Sequence, residues 1–469
     1  MNSEDLGFLP AVRLAELIRI KQLSPVEYTS ALLARIETLE PKVNAFAYLA
    51  ADQAMDAARA AEAKLMSGDR IGRLHGVPVT IKDLAITKDM PTQQGSFIYQ
   101  GKQPTEDAPM VPRMKDEGAI VLGKTTTSEF GWTGVSHSPL TGITHNPWKF
   151  GYNAGASSAG AGAGCAAGYG PLHQGSDGAG SIRMPAHFCG VFGLKPSFGR
   201  VPNYPVSTGD MTSHNGPLTR SVADAALMLE VMAGPHPLDY TTLEAGPAAY
   251  QARLHEGVKG RRIAYSPDLG HARVDPDVAA LVKAAAHRFT ELGAIVEEVP
   301  TPWAAPGPEL IRFFWSAHLS RLKPQLAKWE SRMDPGLVAC IKASTNVSIT
   351  DYQLARERKM AYIAAINRWF EGWDFLLTPS VSVAAFPAEK LMPDHWPQHD
   401  WDWVSWAEFS YPFNMSWNPA ASVPCGFTAD GLPVGLQIVG KRFDDLGVLQ
   451  ASAAFEAIQP WAHERPALS

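Results

Sequence analysis

Cysteine is scarce and never paired in sequence: Cys165, Cys189, Cys340 and Cys425 stand far apart and form no C-x-x-C. That spacing fits a reducing compartment and four buried thiols, although distant pairs can still meet in space. Positive charge is not in excess either. Lys and Arg number 41 against 47 Asp and Glu, for a formal charge of -6, and no long basic run offers a track for nucleic acid. A small neutral substrate fits this balance better. No apolar stretch reaches membrane-spanning length before Gly, Pro or charge interrupts it. The opening MNSEDLGFLP lacks a basic flank and an apolar core, so a cytoplasmic protein without membrane association is expected. Nucleotide and metal signatures are missing as well. There is no G-x-x-x-x-G-K-[ST], no H-E-x-x-H, and no G-x-G-x-x-G in a strand-to-helix setting; close helix packing accounts for AGAGC at 161–165. His75, His137, His145, His173, His187 and His214 show no compact zinc spacing, so neither metal nor cofactor is expected.

What is there is an ordinary globular chain of 469 residues, 45% hydrophobic and 19% charged, whose 40 Gly and 37 Pro are too scattered for a collagenous or disordered tract. No internal repeat is evident, which favours one large domain over 1–469. Ser24-Pro25-Val26-Glu27 opens a helix whose Leu32, Leu33, Ile36 and Leu39 recur at helical spacing. A second helix covers 51–67 and stops at Gly68. VPVTI at 77–81 then reads as a short buried strand delivering Lys82, with Pro78 pointing to an edge position or an irregular start. A helix at 107–117 leads to a strand at 120–122 ending at Gly123, and Ser221 caps a helix to Met232. Strand, helix and strand follow over RRIAYSP, 276–291 and AIVEEVP; residues 307–370 are mainly helical, and DFLLTPS at 374–380 is a core strand. ASVPCGF and LPVGLQIVG flank the turn Ala429-Asp430-Gly431, and 445–458 supplies a closing helix. This alternation predicts an α/β fold with a mixed central β-sheet covered by helices on both faces.

Between 155 and 183 the chain becomes GASSAGAGAGCAAGYGPLHQGSDGAGSIR, where small residues let elements approach closely and glycine reaches unusual backbone angles. Three groups there and nearby permit a nucleophilic hydrolase without histidine. Ser181 can attack a carbonyl only if it loses its proton, and a neutral Lys82 can take that proton directly or through the Ser157 hydroxyl. Bringing a lysine to neutrality near pH 7 costs roughly 4 kcal/mol, which desolvation beside an apolar strand can impose. Backbone N–H groups of the 178–181 turn can converge on the oxyanion formed by the attack. Each serine also suits a turn or helix cap, and Lys82 can equally pair with its neighbour Asp83.

The sequence resembles the amidase signature family. The matching segments are GVPVTIKDL at 76–84, GASSAGAGAG at 155–164, GSDGAGSIRMPA at 175–186, GLKPSFGRVP at 193–202 and GPLTRSVADAALMLEVMAG at 216–234, with ASVPCGF and GLPVGLQIVG near the C-terminus. The resemblance implies a catalytic core at 76–234 and a variable helical and aromatic pocket region at about 307–415. It assigns the nucleophile to Ser181, the bridging serine to Ser157, preceded by a cis peptide, and the base to Lys82. Gly178, Ala179, Gly180 and Ser181 become the oxyanion donors, with Ser158, Asp177 and Arg183 orienting the loop. Two departures stand out: Gly155-Ala156 and Ala159-Gly160 replace the usual paired glycines around the double serine, and Ala179 replaces a glycine. Alanine keeps its N–H and adds a methyl, which either narrows the site or calls for less extreme backbone angles.

The implied activity is hydrolysis of a carboxamide C–N bond through an acyl-enzyme, on a small neutral aryl or alkyl amide, with ester or carbamate hydrolysis using the same attack. Trp132, Trp315, Trp396 and Trp406 are candidate pocket residues, since large aromatics either line a pocket or pack. Two alternatives remain open: the glutamine-hydrolysing subunit of a transfer-RNA-dependent amidotransferase, which requires a partner complex, and an inactive interaction scaffold. Otherwise the expected partner is a small-molecule amide, with no direct nucleic acid and a monomer or homodimer.

Overall fold

The computed structural model describes residues 3–244 and 249–468. Its frame is an 11-stranded mixed sheet. In chain order the strands are β1 (Phe46–Leu49), β2 (Pro78–Lys82), β3 (Ile120–Thr125), β4 (Leu172–Asp177), β5 (Phe192–Lys195), β6 (His214–Thr219), β7 (Arg262–Tyr265), β8 (Ile295–Glu298), β9 (Phe375–Pro379), β10 (Ala420–Phe427) and β11 (Pro433–Gly440). They lie side by side as β1-β3-β2-β4-β6-β5-β10-β11-β9-β7-β8. β2 runs parallel to both β3 and β4, with Thr80 opposite Gly123 and His173, whereas β6 lies antiparallel to β4.

Strand periodicity separates two cores. Ile263, Tyr265, Phe375, Leu377, Leu436 and Ile438 belong to one apolar cluster, and the alternate residues Ala264, Leu376 and Val439 to another. Side chains two apart share a face, so helices cover both sides of the sheet, as the alternation of elements predicts. On the first face lie α1 (Pro25–Val43), α2 (Ala51–Ser67), α3 (Ala159–Ala167), α4 (Arg183–Cys189), α5 (Val222–Met232) and α6 (Pro276–Arg288). The second face is covered by α7 (Gly307–Leu319), α8 (Pro335–Ala343) and α9 (Ile349–Trp369), before α10 (Asp445–Ile458) returns to the first.

Local signals explain most ends. The Ser24 hydroxyl accepts from the N–H groups of Val26 and Glu27, Gly68 closes α2 in the left-handed region, and Ser221 caps α5 through Asp224 N–H. Pro78 begins an interior strand and not an edge one: it is the first residue of β2, where a missing N–H costs least. β3 does not stop at Gly123. It passes through that glycine at a register irregularity, and the position needs glycine because a Cβ there would lie 2.2 Å from the Tyr48 carbonyl oxygen.

Helix α3 is buried along its whole length, which its alternation of alanine and glycine makes feasible. A Cβ on Gly160 would stand 2.0 Å from the Ala45 carbonyl oxygen and 2.6 Å from the Thr126 N–H. Gly160→Ala is therefore expected to lower stability by about 2 to 3 kcal/mol in urea unfolding. An unchanged midpoint would contradict this packing.

Candidate active site

The parallel pairing of β2 with β4 carries Lys82 and the Ser176-Asp177 pair to the same end of the sheet. There the Lys82 amine, wholly buried, lies within hydrogen-bond distance of Ser157 Oγ at 2.8 Å, Ser176 Oγ at 3.0 Å and the Ser176 carbonyl oxygen at 3.2 Å. Its own N–H donates to Gln174 Oε1 at 3.0 Å. Burial pushes the amine well below the usual lysine range, against the opposing pull of the Asp177 carboxylate. Asp83 is not its partner. That carboxylate faces Lys124 at 3.7 Å and accepts from Gln93 N–H on a separate loop.

Ser157 follows a cis Ala156–Ser157 peptide just ahead of α3. Gly155 before it has φ +76°, and a Cβ there would lie 2.6 Å from the Pro185 nitrogen, so this position requires glycine whereas alanine fits at 156. The next residue ties the loops together: Ser158 N–H donates to the Ser181 carbonyl at 3.2 Å, and its hydroxyl donates to the Ser176 carbonyl at 3.1 Å. Ser157 and Ser181 are 3% and 4% exposed, so the site is nearly closed. Among the described residues no hydrogen bond engages the Ser181 hydroxyl, and no histidine bonds either serine.

The 177–183 turn is organised by a buried ion pair. Arg183 Nε and Nη2 donate to the two Asp177 carboxylate oxygens at 3.0 and 2.9 Å, and Nη1 donates to Ser410 O and Gln437 Oε1. Asn414 accepts from Arg183 Nη2 at 2.6 Å and donates to Asp177 Oδ1 at 2.8 Å. Burial raises the Asp177 pKa, but the Arg183 guanidinium, Lys195 and the Asn414 amide outweigh it and hold the carboxyl well below its usual range. The same carboxylate takes the Gly180 N–H at 2.7 Å. Gly180 thus leaves the expected set of oxyanion donors, because its N–H is already committed. Among the described residues the N–H groups of Gly178, Ala179 and Ser181 are taken by no hydrogen bond within the chain.

An aromatic wall borders this loop. The Trp315 ring is 3.9 Å from where a side chain on Gly178 would begin, and its Nε1 donates to the Trp132 carbonyl at 2.9 Å. Both share an apolar cluster with Phe130, Ala179 and Met184, so the Ala179 methyl packs into that wall. Trp396 and Trp406 belong to the same apolar cluster: Trp406, fully buried with its Nε1 on the Leu391 carbonyl, packs against Phe188, Phe386 and Trp403, whose ring meets Trp315 edge-on, and Trp396 stacks under the Arg273 guanidinium. Sequence reasoning missed Ser176, Ser410, Asn414 and Gln437. Ser176 stands inside the GSDGAGS run at 175–181 and was open to discovery; the other three lie more than 200 positions from Arg183 with no local signal.

The sequence matches the Amidase family over residues 27–449. This chain belongs to the amidase signature family. It is 37% identical to an acylamidase of Rhodococcus erythropolis over 478 residues, spanning 100% of this chain and 99% of that one. Against a glutamyl-tRNA(Gln) amidotransferase subunit of Moorella thermoacetica it is 33% identical over 495 residues, 99% of each chain. Among solved structures, a bacterial aryl acylamidase of this family superposes with a TM-score of 0.90 at 30% identity over 97% of both chains. The 6-aminohexanoate cyclic dimer hydrolase follows at 0.89 and 28%, covering 98% of this chain and 99% of that chain. As a member of the amidase signature family the protein is an enzyme that hydrolyses amide C–N bonds with a serine nucleophile. Among the described residues no helix is long and apolar enough to cross a membrane.

The buried pair sets a stability prediction. Arg183→Met leaves the Asp177 carboxylate uncompensated and is expected to cost about 3 to 5 kcal/mol at pH 7 in denaturant unfolding. A depressed carboxyl pKa contributes stability above the unfolded value, 3.8, that is lost as pH falls through the folded one, so the deficit should shrink below pH 4. A deficit that does not change with pH would remove Asp177 from the explanation.

Proposed function

We propose that Ser181 is the nucleophile, Ser157 the proton relay and Lys82 the general base of this amidase. The observation that carries the reading is the wholly buried Lys82 amine set 2.8 Å from Ser157 Oγ. Desolvation pushes that amine well below the usual lysine range, toward the neutral state a base needs. As the amide carbonyl arrives, the unengaged Ser181 hydroxyl turns toward Ser157 and gives up its proton, Ser157 passes its own to Lys82, and Ser181 Oγ bonds to the carbonyl carbon. The N–H groups of Gly178, Ala179 and Ser181 receive the developing oxyanion, in a site whose near closure strengthens each such bond. Returning the proton from Lys82 through Ser157 to the departing nitrogen expels the amine. Water, deprotonated by the same relay, then releases the acid and restores Ser181.

The substrate is a small aryl or alkyl amide, neutral at its reacting end. Supporting this are the aromatic wall of Trp132 and Trp315 beside the loop, and the likeness to proteins named acylamidase and aryl acylamidase. Esters and carbamates present the same carbonyl to the same hydroxyl. The transfer-RNA amidotransferase likeness makes glutamine the necessary comparison.

Purified protein alone is expected to turn over anilides and short alkyl amides and to leave glutamine intact; glutamine turnover in preference to anilides would reverse the assignment. Ser181→Ala should fold yet resist labelling by a serine-reactive acylating probe, and retained labelling would remove Ser181 from the role. Because protonation disables the base, kcat/KM should fall as pH drops through the folded Lys82 pKa, which lies below 10.5. Lys82→Met should lose a factor of about 10³ or more where the wild-type base is unprotonated, and a surviving pH profile of the same shape would clear Lys82 of that duty.

A further inference from the structure

Beyond the aromatic wall lies a separate cavity of about 370 Å³, lined by Thr208, Asp210, Phe314, His318, Arg321 and Tyr352 among others. Helix α7 runs on into a tight turn over Ser320–Leu322, so Trp315, His318 and Arg321, spaced three apart, follow one another along one face. Trp315 is the inner end of that face, against Gly178, and Arg321 is the outer end, in the cavity wall. A second connection leads the same way. The Arg321 guanidinium stands 5.9 Å from the Phe130 ring centre, and the next residue, Gly131, abuts Ser157, whose Oγ is 3.1 Å from where a Gly131 side chain would begin. Six residues of helix and turn separate the two ends, a span of roughly 10 Å.

The charges in the cavity are unequal in their commitments. Asp210 is claimed by Lys359, whose amine donates to its carboxylate and, at 2.9 Å, to its carbonyl, with Arg356 3.9 Å away. Arg321, an exposed residue, has no such counterpart: among the described residues it forms no ion pair, and its guanidinium stands 5.9 Å from the Phe130 ring centre. Phe314 and Tyr352 add aromatic surface, while His318 packs against Gly209. A cavity with aromatic sides and one uncommitted guanidinium suits a carboxylate at the end of an apolar chain.

We propose that this cavity is a distal subsite for a substrate carboxylate, with Arg321 its specificity-determining residue, so that the enzyme favours amides bearing a carboxylate at the end of a chain long enough to reach from Ser181 past Trp315 to Arg321. The inference rests on the reading of Ser181 as the reacting group. The carboxylate can belong to the acyl half or to the leaving amine, and two substrate series separate these sources. One comprises 4-nitroanilides of straight-chain dicarboxylic acids of increasing length against their methyl-terminated counterparts. The other comprises acyl derivatives of ω-amino acids against the matching alkylamines. At the fitting length, in one series, the carboxylate should raise kcat/KM about tenfold, chiefly through KM. Arg321→Gln should abolish that ratio and Arg321→Lys should retain part of it. No length-dependent advantage in either series, or an advantage that survives in Arg321→Gln, overturns the subsite. Methyl-terminated anilides discriminate the two readings: their turnover without any carboxylate preference sinks the subsite alone, and no turnover of any substrate sinks the Ser181 reading with it.

Discussion

Burying a lysine amine inside the protein is the constraint around which this site is arranged. An ammonium at position 82 would have to surrender its hydration on burial, and the protein offers it two serine hydroxyls and a carbonyl in return. The nearest opposing influence is Asp177, whose negative charge favours the protonated form. Arg183 resolves that conflict by occupying both carboxylate oxygens, so the ionised aspartate spends its field on a permanent cation. Lys195, also buried and also pushed well below the usual lysine range, sits in the same electrostatic neighbourhood. The region therefore holds one compensated ion pair flanked by two amines whose pKa values burial pushes down.

That arrangement needs a rigid frame, and the two cores supply it. Ile182 and Ala186 pack into the cluster on one face of the sheet, while Ala179 and Met184 pack into the cluster on the other. The turn bearing Ser181 thus lies at the seam of both cores and is held from each side. Displacing it would disturb two well-filled interiors at once, which is costly because protein cores tolerate little change in volume. Its backbone is fixed by the same economy of contacts: Asp177 caps Gly180 and Ile182 through its two oxygens while it binds Arg183.

Much of the fold was legible because it depends on local order. Ser24 and Ser221 begin helices by satisfying N–H groups a few positions on, and Gly68 ends one by entering the left-handed region. Pro78 was ambiguous for a physical reason: the lost donor excludes a strand interior, yet the first residue of a central strand is as acceptable as an edge, and only the neighbours decide. The helix expected at 107–117 starts at Met110. Tryptophans were ambiguous in another way. Trp315 and Trp406 are alike in composition and context, and a residue type that packs as well as it binds declares its use only by what it touches.

The order of residues by itself determined the chemistry on offer: a lysine delivered by an apolar strand, two hydroxyls in small-residue loops, and a glycine-rich turn rich in N–H donors, all of which are properties of short segments. Tertiary structure alone decided which of these groups is in which state. It lowered the Lys82 pKa by burying the amine, gave Asp83 to Lys124, withdrew the Gly180 N–H to Asp177, and brought Asn414 to Asp177 across 237 positions of chain. Protonation and hydrogen-bond commitment depend on solvent exclusion and on partners remote in sequence, and neither exists until the chain has packed.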